Sequence, residues 1–472
     1  MRDNPSAERP RGFALHAATG TFILLVLAFV AYIWITGQSR GAAVGWLMFW
    51  CTICTGLLAV PGLPLVGTGV YLVLAYGMSS HAPELDIMLS MRILDGAALL
   101  ALAGWLLGRR RDIARPALVR RPIKLVGGLL FVWVGISLAV SILGGTPAGT
   151  FLRHDPSGYF QAAVMLLVTS DSVRSRRDCT VLSGLIVATI IGRAGLQGLA
   201  GIYLESYIAT LLIMGAPIAL LGMFTARTQA ARSIFGMGAA TTLGLLMLTK
   251  NRAAAVAALA VLATLAWQSG RYVLGRWLVM GLVVVAVAVA VAFAPSAYLD
   301  RFRVLLDPSM TSPTAALDKG TANERLELWS AAWDMAMDRP VFGVGPGNYP
   351  AVAGVYLPGK EPIAAHSNYL QVLAETGFPG LVLYLGFFLG VLLMLERLRR
   401  KGNHQIQRRA AQMLELSLIA YLAGGIFNSR HDLVFAYVLA GWAMALHKIE
   451  FDADVDFDAG NVPGGARSLA SD

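Results

Sequence analysis

Long uninterrupted runs of apolar residues recur along most of the chain, and they restrict its fold more than any other feature. Many approach the roughly 20 residues that an α-helix needs to cross a bilayer, and they exceed the roughly 10 of a membrane-spanning β-strand. Charged residues make up only 14% of the 472 residues, whereas a soluble domain has roughly 25%. These observations exclude a disordered chain, a fibre and a soluble globule, and they predict an all-α polytopic membrane protein.

The apolar runs give the candidate transmembrane helices. Several runs are short, and a tight break at Pro61 separates two of them, so one or two could be re-entrant or interfacial. We therefore predict about 12–14 transmembrane helices. The candidate spans are 17–36, 41–60, 62–78, 93–108, 124–143, 158–170, 180–200, 205–224, 234–249, 253–268, 277–295, 378–396, 412–428 and 432–447.

The basic residues divide unequally between the two sides of these spans. If the N-terminus is cytoplasmic, most Lys and Arg residues lie on the cytoplasmic side, including the clusters at 109–111 and 397–401. The positive-inside rule then predicts cytoplasmic N- and C-termini, and it explains the formal net charge of +10 without a nucleic-acid partner. No cleavage site of small residues follows the first apolar run, so we expect that span to remain as an uncleaved anchor.

One segment outside the membrane is much longer than the others and extends over residues 296–377. Long loops of compact proteins commonly carry function, so we expect the chemistry there. The chain is accordingly predicted to have four parts. They are an N-terminal transmembrane bundle (1–295), a large outer catalytic loop (296–377), C-terminal transmembrane helices (378–447) and a disordered cytoplasmic tail (448–472).

The middle of this loop has a helical pattern. Residues 321–324 have the spacing of a capping box, and Pro340 would stop a helix. Apolar residues recur at helical spacing between these two points, which predicts an amphipathic helix over 322–338. Its apolar face would meet either the membrane boundary or the top of the bundle. The apolar residues are Leu326, Trp329, Trp333 and Met337.

A glycine-rich turn and a histidine follow this helix. The glycines of the segment Gly343–Tyr349 permit tight turns and the close approach of a ligand, although their spacing matches neither standard nucleotide-binding motif. His366 comes just before a predicted span, with Ser and Asn directly after it. A single histidine at a membrane boundary is often only an interfacial polar residue, but this setting favours a functional one.

Ionisable side chains at membrane depth are costly and are therefore functional candidates. Arg193 lies within the predicted span 180–200, and Arg252 lies at the tip of a tight outer hairpin. The outer turn 428–432, with the sequence Asn-Ser-Arg-His-Asp, adds further polar groups on the same side. The arginines would form a basic pocket suited to phosphate, because a guanidinium stays charged and can bind bidentately. Snorkelling of the side chains at helix ends is the alternative.

Four blocks of the sequence together resemble the O-antigen ligase and polymerase superfamily, which includes WaaL-type ligases, Wzy-type polymerases and exopolysaccharide polymerases. They follow one another in the family's order around one large outer loop. The blocks are Leu-Thr-Lys-Asn-Arg at 248–252, Arg-Leu-Glu-Leu-Trp at 325–329, the Arg-Pro and glycine-rich segment at 338–349, and His-Ser-Asn-Tyr-Leu at 366–370 with Glu-Thr-Gly-Phe-Pro-Gly at 375–380.

The resemblance implies a membrane glycosyltransferase of the O-antigen ligase type in the bacterial inner membrane, with the large loop in the periplasm. The donor would be a glycan linked to undecaprenyl diphosphate. The acceptor would be a hydroxyl of lipid A-core, in lipopolysaccharide biosynthesis, or of another glycan repeat if the protein is an O-antigen or exopolysaccharide polymerase. A polysaccharide transporter or flippase is the alternative from a different functional class.

The resemblance also implies roles for single residues. Arg252, Arg193 and Arg325 would bind the diphosphate and stabilise the charge that develops as it leaves, with Arg252 the first candidate. His366 would be the general base for the acceptor hydroxyl, because its intrinsic pKa suits proton transfer near neutrality. The loop has neither an HExxH nor a paired DxD pattern, so we predict that transfer requires no metal ion and no cofactor.

Overall fold

The computed structural model of the chain describes residues 122–144, 157–199, 206–249, 252–268, 313–358, 363–402 and 404–451, with short helical stretches between 68 and 106. All regular secondary structure in these residues is helical, and this confirms the predicted all-α class. The main helices are α1 (Pro122–Leu143), α2 (Ser157–Ser172), α3 (Arg176–Leu199), α4 (Ser206–Thr225), α5 (Gln229–Leu248), α6 (Arg252–Gln268), α7 (Pro313–Asp338), α8 (Tyr349–Tyr356), α9 (Asn368–Lys401), α10 (Gln405–Gly424) and α11 (Val434–Phe451).

Three helical segments in the described part are long and apolar enough to cross a membrane: Ile123–Leu143, Ile208–Thr225 and Asn368–Lys401. Shorter apolar segments, among them Ala253–Gln268 and Val434–Ile449, accompany them. The chain is therefore a multi-pass membrane protein. The predicted spans 17–36, 41–60 and 277–295 lie outside the described residues, as does most of 62–78, so the total of 12 to 14 spans stays a prediction.

The helices of the bundle run alternately up and down, and ionic contacts mark one of its ends. The Asp171 carboxylate lies 3.5 Å from the Lys124 ammonium and 3.6 Å from that of Lys448. These contacts join the start of α1 to the ends of α2 and α11. We call this the basic end. The opposite end, where residues 366–377 and 425–433 lie, is called the site end.

The packing of the bundle places α9 against α1, α7, α10 and α11, and α2 against α11. Between these helices, the buried rings of Phe387, Phe388 and Tyr437 pack against one another with centroids 5.1–6.0 Å apart. The close contact of α2 with α11 depends on Gly441, because a Cβ atom there would lie 2.7 Å from the Leu166 carbonyl oxygen. This core packs the middle of α9 against the bundle, and the first turns of α9 carry much of the site.

Three helices extend beyond the limits expected from the sequence. α7 begins at Pro313, well before the predicted start at 322, and proline is favoured at the first helical position. The capping-box pattern at 321–324 lies inside this continuous helix. α9 begins at Asn368, inside the segment assigned to the loop, and Gly377 interrupts it. α11 continues to Phe451, into the segment assigned to the tail.

Candidate active site

The break in α9 at Gly377 organises the site. Gly377 has φ 72° and ψ −176°, so the helix is interrupted there, and Pro379 has no N–H to donate. The Phe378 N–H turns instead to the Pro340 carbonyl, 2.9 Å away. The carbonyls of residues 374–376 therefore lose their partners within the helix and must find others, because buried backbone groups are almost always paired.

The glycine-rich turn supplies two of these partners. The N–H groups of Val344 and Gly345 donate to the carbonyls of Ala374 and Glu375, each at 2.9 Å. Gly343 has φ 68°, and a Cβ atom on it would lie 2.4 Å from the backbone carbon of Glu375. The group that these glycines approach closely is the backbone of α9, and the expected approach of a ligand stays a prediction.

Helix α1 completes this junction with three polar side chains. The Trp133 indole N–H donates to the freed carbonyl of residue 376 at 2.9 Å. The Ser137 hydroxyl is 2.6 Å from the Phe342 carbonyl, and the Ser141 hydroxyl donates to the Val344 carbonyl at 2.9 Å. A transmembrane helix therefore fixes the position of the turn.

The Glu375 carboxylate is fully buried and is the centre of a polar cluster. Its Oε2 accepts from the Gly347 N–H at 2.9 Å and lies 3.4 Å from the His431 Nε2, and its Oε1 accepts from the Gln371 amide at 2.9 Å. Burial lowers the pKa of His431, but the Glu375 carboxylate outweighs that effect and raises the pKa above its ordinary value. The cluster connects the glycine-rich turn, α9 and the turn before α11.

His366 lies beside this cluster in a strained backbone conformation. Its φ is 54°, the only positive φ among the described non-glycine residues, and such outliers are held in place by their surroundings and concentrate at functional sites. The Gln371 side chain, which binds Glu375, also accepts from the Ala365 N–H at 3.4 Å. The Glu375 cluster therefore extends to the residue that precedes His366.

The segment after His366 docks on the turn between α10 and α11. The Ser367 N–H donates to the Ser429 hydroxyl at 3.1 Å, and the Asn368 N–H donates to the Gly425 carbonyl at 2.8 Å. The Asn368 side chain in turn accepts from the Arg430 N–H at 2.5 Å. The segment 366–370 and the turn 428–432, which are distant in the sequence, are thus in direct contact.

The electrostatic setting of His366 favours its neutral form. Burial lowers the pKa of the imidazole, the positive charge of Arg325 on α7 lowers it further, and Glu324 opposes this weakly. Among the predicted site residues, Arg325 is therefore the one whose charge acts on His366. A neutral imidazole is the form that can accept a proton.

The other two predicted arginines are placed less closely. Arg193 is buried in the site-end half of α3, with only 3% of its surface exposed. Arg252 is the first residue of α6, which begins at the site end, and its side chain lies outside the described residues. Both lie toward the same end of the bundle as His366, and their binding roles stay predictions.

Glu375, Gln371 and His431 form a part of the site to whose members the sequence assigned no individual role. Gln371 and Glu375 are four residues apart on one helix, a spacing that places them on one face. That signal was present in the sequence, but nothing in the sequence indicated that His431 contacts Glu375. In the described ranges, no three His, Cys, Asp or Glu side chains are grouped so that they could hold a metal ion, and metal independence stays a prediction.

We expect Glu375→Ala to destabilise the protein strongly. The substitution leaves His431, Gln371 and the Gly347 N–H without their buried acceptor, and removal of one partner of a buried ion pair costs about 3–5 kcal/mol. The expected result is a large fall in the thermal midpoint of the detergent-purified protein. Glu324→Ala, at an exposed glutamate on α7, is the control. Equal midpoints for the two variants would contradict the structural role given to Glu375.

Comparison with known proteins shows that part of the chain is similar to a known protein family. Residues 237–385 match the family model described as O-antigen ligase, and this confirms the resemblance inferred from the sequence. The match includes Arg252, Arg325, His366 and Glu375, whereas Arg193 and His431 lie outside it. It supports a ligase- or polymerase-type function in polysaccharide biosynthesis. No curated protein matches the chain.

Proposed function

We propose, from the O-antigen ligase match over residues 237–385, that the chain is a membrane glycosyltransferase that uses a lipid-linked glycan as donor. The donor carries its glycan on undecaprenyl diphosphate, and the acceptor is a sugar hydroxyl on the periplasmic side of the inner membrane. The observation that carries the proposal is the placement of His366. Its backbone is held in the left-handed region, and its imidazole lies near the charge of Arg325.

In the proposed reaction, the neutral imidazole of His366 takes the proton of the acceptor hydroxyl. The acceptor oxygen forms a bond to the anomeric carbon of the donor as the bond from that carbon to the diphosphate oxygen breaks. The diphosphate leaves with the electron pair and gains negative charge. Fixed cations can stabilise that charge at a site with little water.

The arginines are proposed to supply these cations. The positive charge of Arg325 acts on His366, which supports a place for it close to the proposed reaction. Arg252 and Arg193, on α6 and α3, are proposed to reach the same diphosphate. A guanidinium suits this role because it stays charged and can bind two phosphate oxygens at once. We propose that these three arginines stabilise the leaving group without a metal ion.

The test is a deletion strain that carries the wild-type gene or Arg252→Ala. We expect Arg252→Ala to abolish transfer, because one fixed donor to a developing charge is typically worth about 10²–10³ in rate. Lipopolysaccharide, secreted polysaccharide and prenyl-linked glycans would be resolved by size. Arg400→Ala, at an exposed arginine of the basic end that pairs with Glu396, is the matched control.

The product pools of this experiment separate the three functional classes. Long glycan that is lost from lipid A-core but kept on the prenyl carrier would indicate a ligase. Single repeats in place of long chains would indicate a polymerase. A flippase would leave the sugar–diphosphate bond of the donor intact in a reconstituted assay. Wild-type pools in the Arg252→Ala strain would remove that residue from the reaction.

The pH dependence of transfer tests the role of His366 as base. Because burial and Arg325 lower the pKa of His366, the wild-type enzyme should keep its activity as the pH falls through the ordinary histidine value of 6.5. Arg325→Ala removes the repulsion of the imidazolium and raises this pKa, so the acid limb of kcat/KM should move to higher pH. Arg325→Lys keeps the positive charge, so the acid limb of its kcat/KM profile should stay near the wild-type pH. An acid limb that stays in place in Arg325→Ala would contradict the assignment.

A further inference from the structure

The outward side of α7 has a row of exposed apolar side chains. Leu326, Trp333 and Met337 retain 60%, 49% and 45% of their surface exposed. They are seven and four residues apart, so they lie on one face of the helix. Val341, just after the helix, is exposed as well. We call Leu326, Trp333 and Met337 the outer row.

The opposite face of α7 is also apolar, and it is buried. Leu328, Ala332 and Met335 have almost no exposed surface, and this face packs against α8 and α9. The sequence left open whether the apolar side of this helix meets the bundle or the membrane boundary. The structure shows two apolar sides, of which one is buried against the described helices and the other stays largely exposed. A helix on a water-soluble surface normally has only the buried one.

The outer row continues onto the lipid-facing side of a transmembrane helix. The Trp333 ring packs edge-on against Phe378 of α9, with centroids 6.3 Å apart. Phe378 is the first of a row of exposed apolar residues along α9 at helical spacing. The others are Val382, Leu385, Leu389 and Leu393. Exposed apolar residues on a membrane-spanning segment are suited to contact with acyl chains, and the outer row adjoins this row of α9.

Acidic residues lie along one border of the outer row. Glu327 and Asp334 follow Leu326 and Trp333 directly in the sequence, so each lies about 100° further around the helix. Both are exposed. The exposed surface of α7 thus has an apolar strip beside an acidic strip. An apolar strip beside a charged strip suits a helix that lies in the plane of a membrane interface, where tryptophan is also enriched.

We propose that α7 lies in the membrane interface, with the outer row among the acyl chains and headgroups of the site-end leaflet and with Glu327 and Asp334 in water. The partner of this surface is the lipid bilayer. Arg325 adjoins the outer row in the sequence, so the same contact keeps its backbone near the depth of the headgroups. The lipid contact itself does not depend on the proposed reaction.

Spin-label accessibility in liposomes tests this proposal. Single cysteines replace residues of the outer row (Leu326→Cys, Trp333→Cys, Met337→Cys) in the full-length chain after Cys51→Ala, Cys54→Ala and Cys179→Ala. The labelled protein is reconstituted in phosphatidylethanolamine–phosphatidylglycerol vesicles. Collision rates are then measured with oxygen, which partitions into lipid, and with a nickel chelate, which stays in water.

We expect outer-row labels to collide several-fold more with oxygen, relative to the nickel chelate, than labels at the acidic strip. Glu327→Cys and Asp334→Cys are the matched controls on the same helix, and Val382→Cys on α9 is the control for lipid exposure. Equal nickel access at both strips would overturn the proposal. Protection of the outer row from both reagents would overturn it too, because another segment of the chain or a second copy would then cover the row. If one variant does not fold, the other two outer-row positions decide.

Discussion

Transfer of glycan to the acceptor is expected to fall to background in His366→Ala, while the protein still folds and inserts into the membrane. General-base catalysis contributes about 10²–10⁴ to a rate. His366 is only half-buried, so its replacement by alanine should leave the fold intact. The measurement is donor consumption by the purified protein in liposomes.

His404→Ala is the matched control for this experiment. His404 is exposed at the start of α10, at the basic end, and it is far along the chain from every predicted site residue. Its replacement should leave the rate within error of the wild type. A His366→Ala protein that consumes donor at the His404→Ala rate would exclude His366 as the base, and the proposal would then have no proton acceptor.

Gly377→Ala is expected to disrupt the site and to destabilise the bundle around it. A Cβ atom at this position would lie 2.3 Å from the Val341 carbonyl oxygen, and the φ of 72° is unfavourable for alanine in any case. Backbone strain of this kind costs about 1–3 kcal/mol, and the overlap must also be relieved by moving the Pro340–Val341 backbone. That movement breaks the hydrogen bond from Phe378 to Pro340. We therefore expect both a lower thermal midpoint and the loss of transfer.

Gly386→Ala is the control on the same helix. Gly386 lies further along α9, and a Cβ atom there would have no neighbour within 4 Å. Alanine in a helix interior is favoured over glycine by up to about 1 kcal/mol, so this variant should be as stable as the wild type or more so. A Gly377→Ala protein that melts and transfers like Gly386→Ala would show that the site tolerates a continuous α9.

Local patterns in the sequence predicted most of the helices that the structure describes. The apolar runs that predicted spans at 124–143, 158–170 and 205–224 correspond to α1, α2 and α4. Membrane-spanning helices are predictable in this way because each must satisfy its own backbone and present apolar side chains to lipid, whatever its neighbours are. The limits were less predictable. The capping-box pattern at 321–324 did not begin α7, because helical residues already preceded it.

The residues of the site were likewise predictable from the sequence only in part. The sequence by itself predicted that His366 and Arg252 lie toward one end of an all-α bundle, because hydropathy and basic residues order the chain across a membrane. Only the tertiary structure decided that the kink at Gly377 frees the carbonyls that hold the glycine-rich turn, and that Glu375 contacts His431 from the turn before α11. It also decided which apolar face of α7 packs on the bundle. The physical reason is that a buried carboxylate or a freed carbonyl is stable only with a partner, and the packing of distant helices determines that partner.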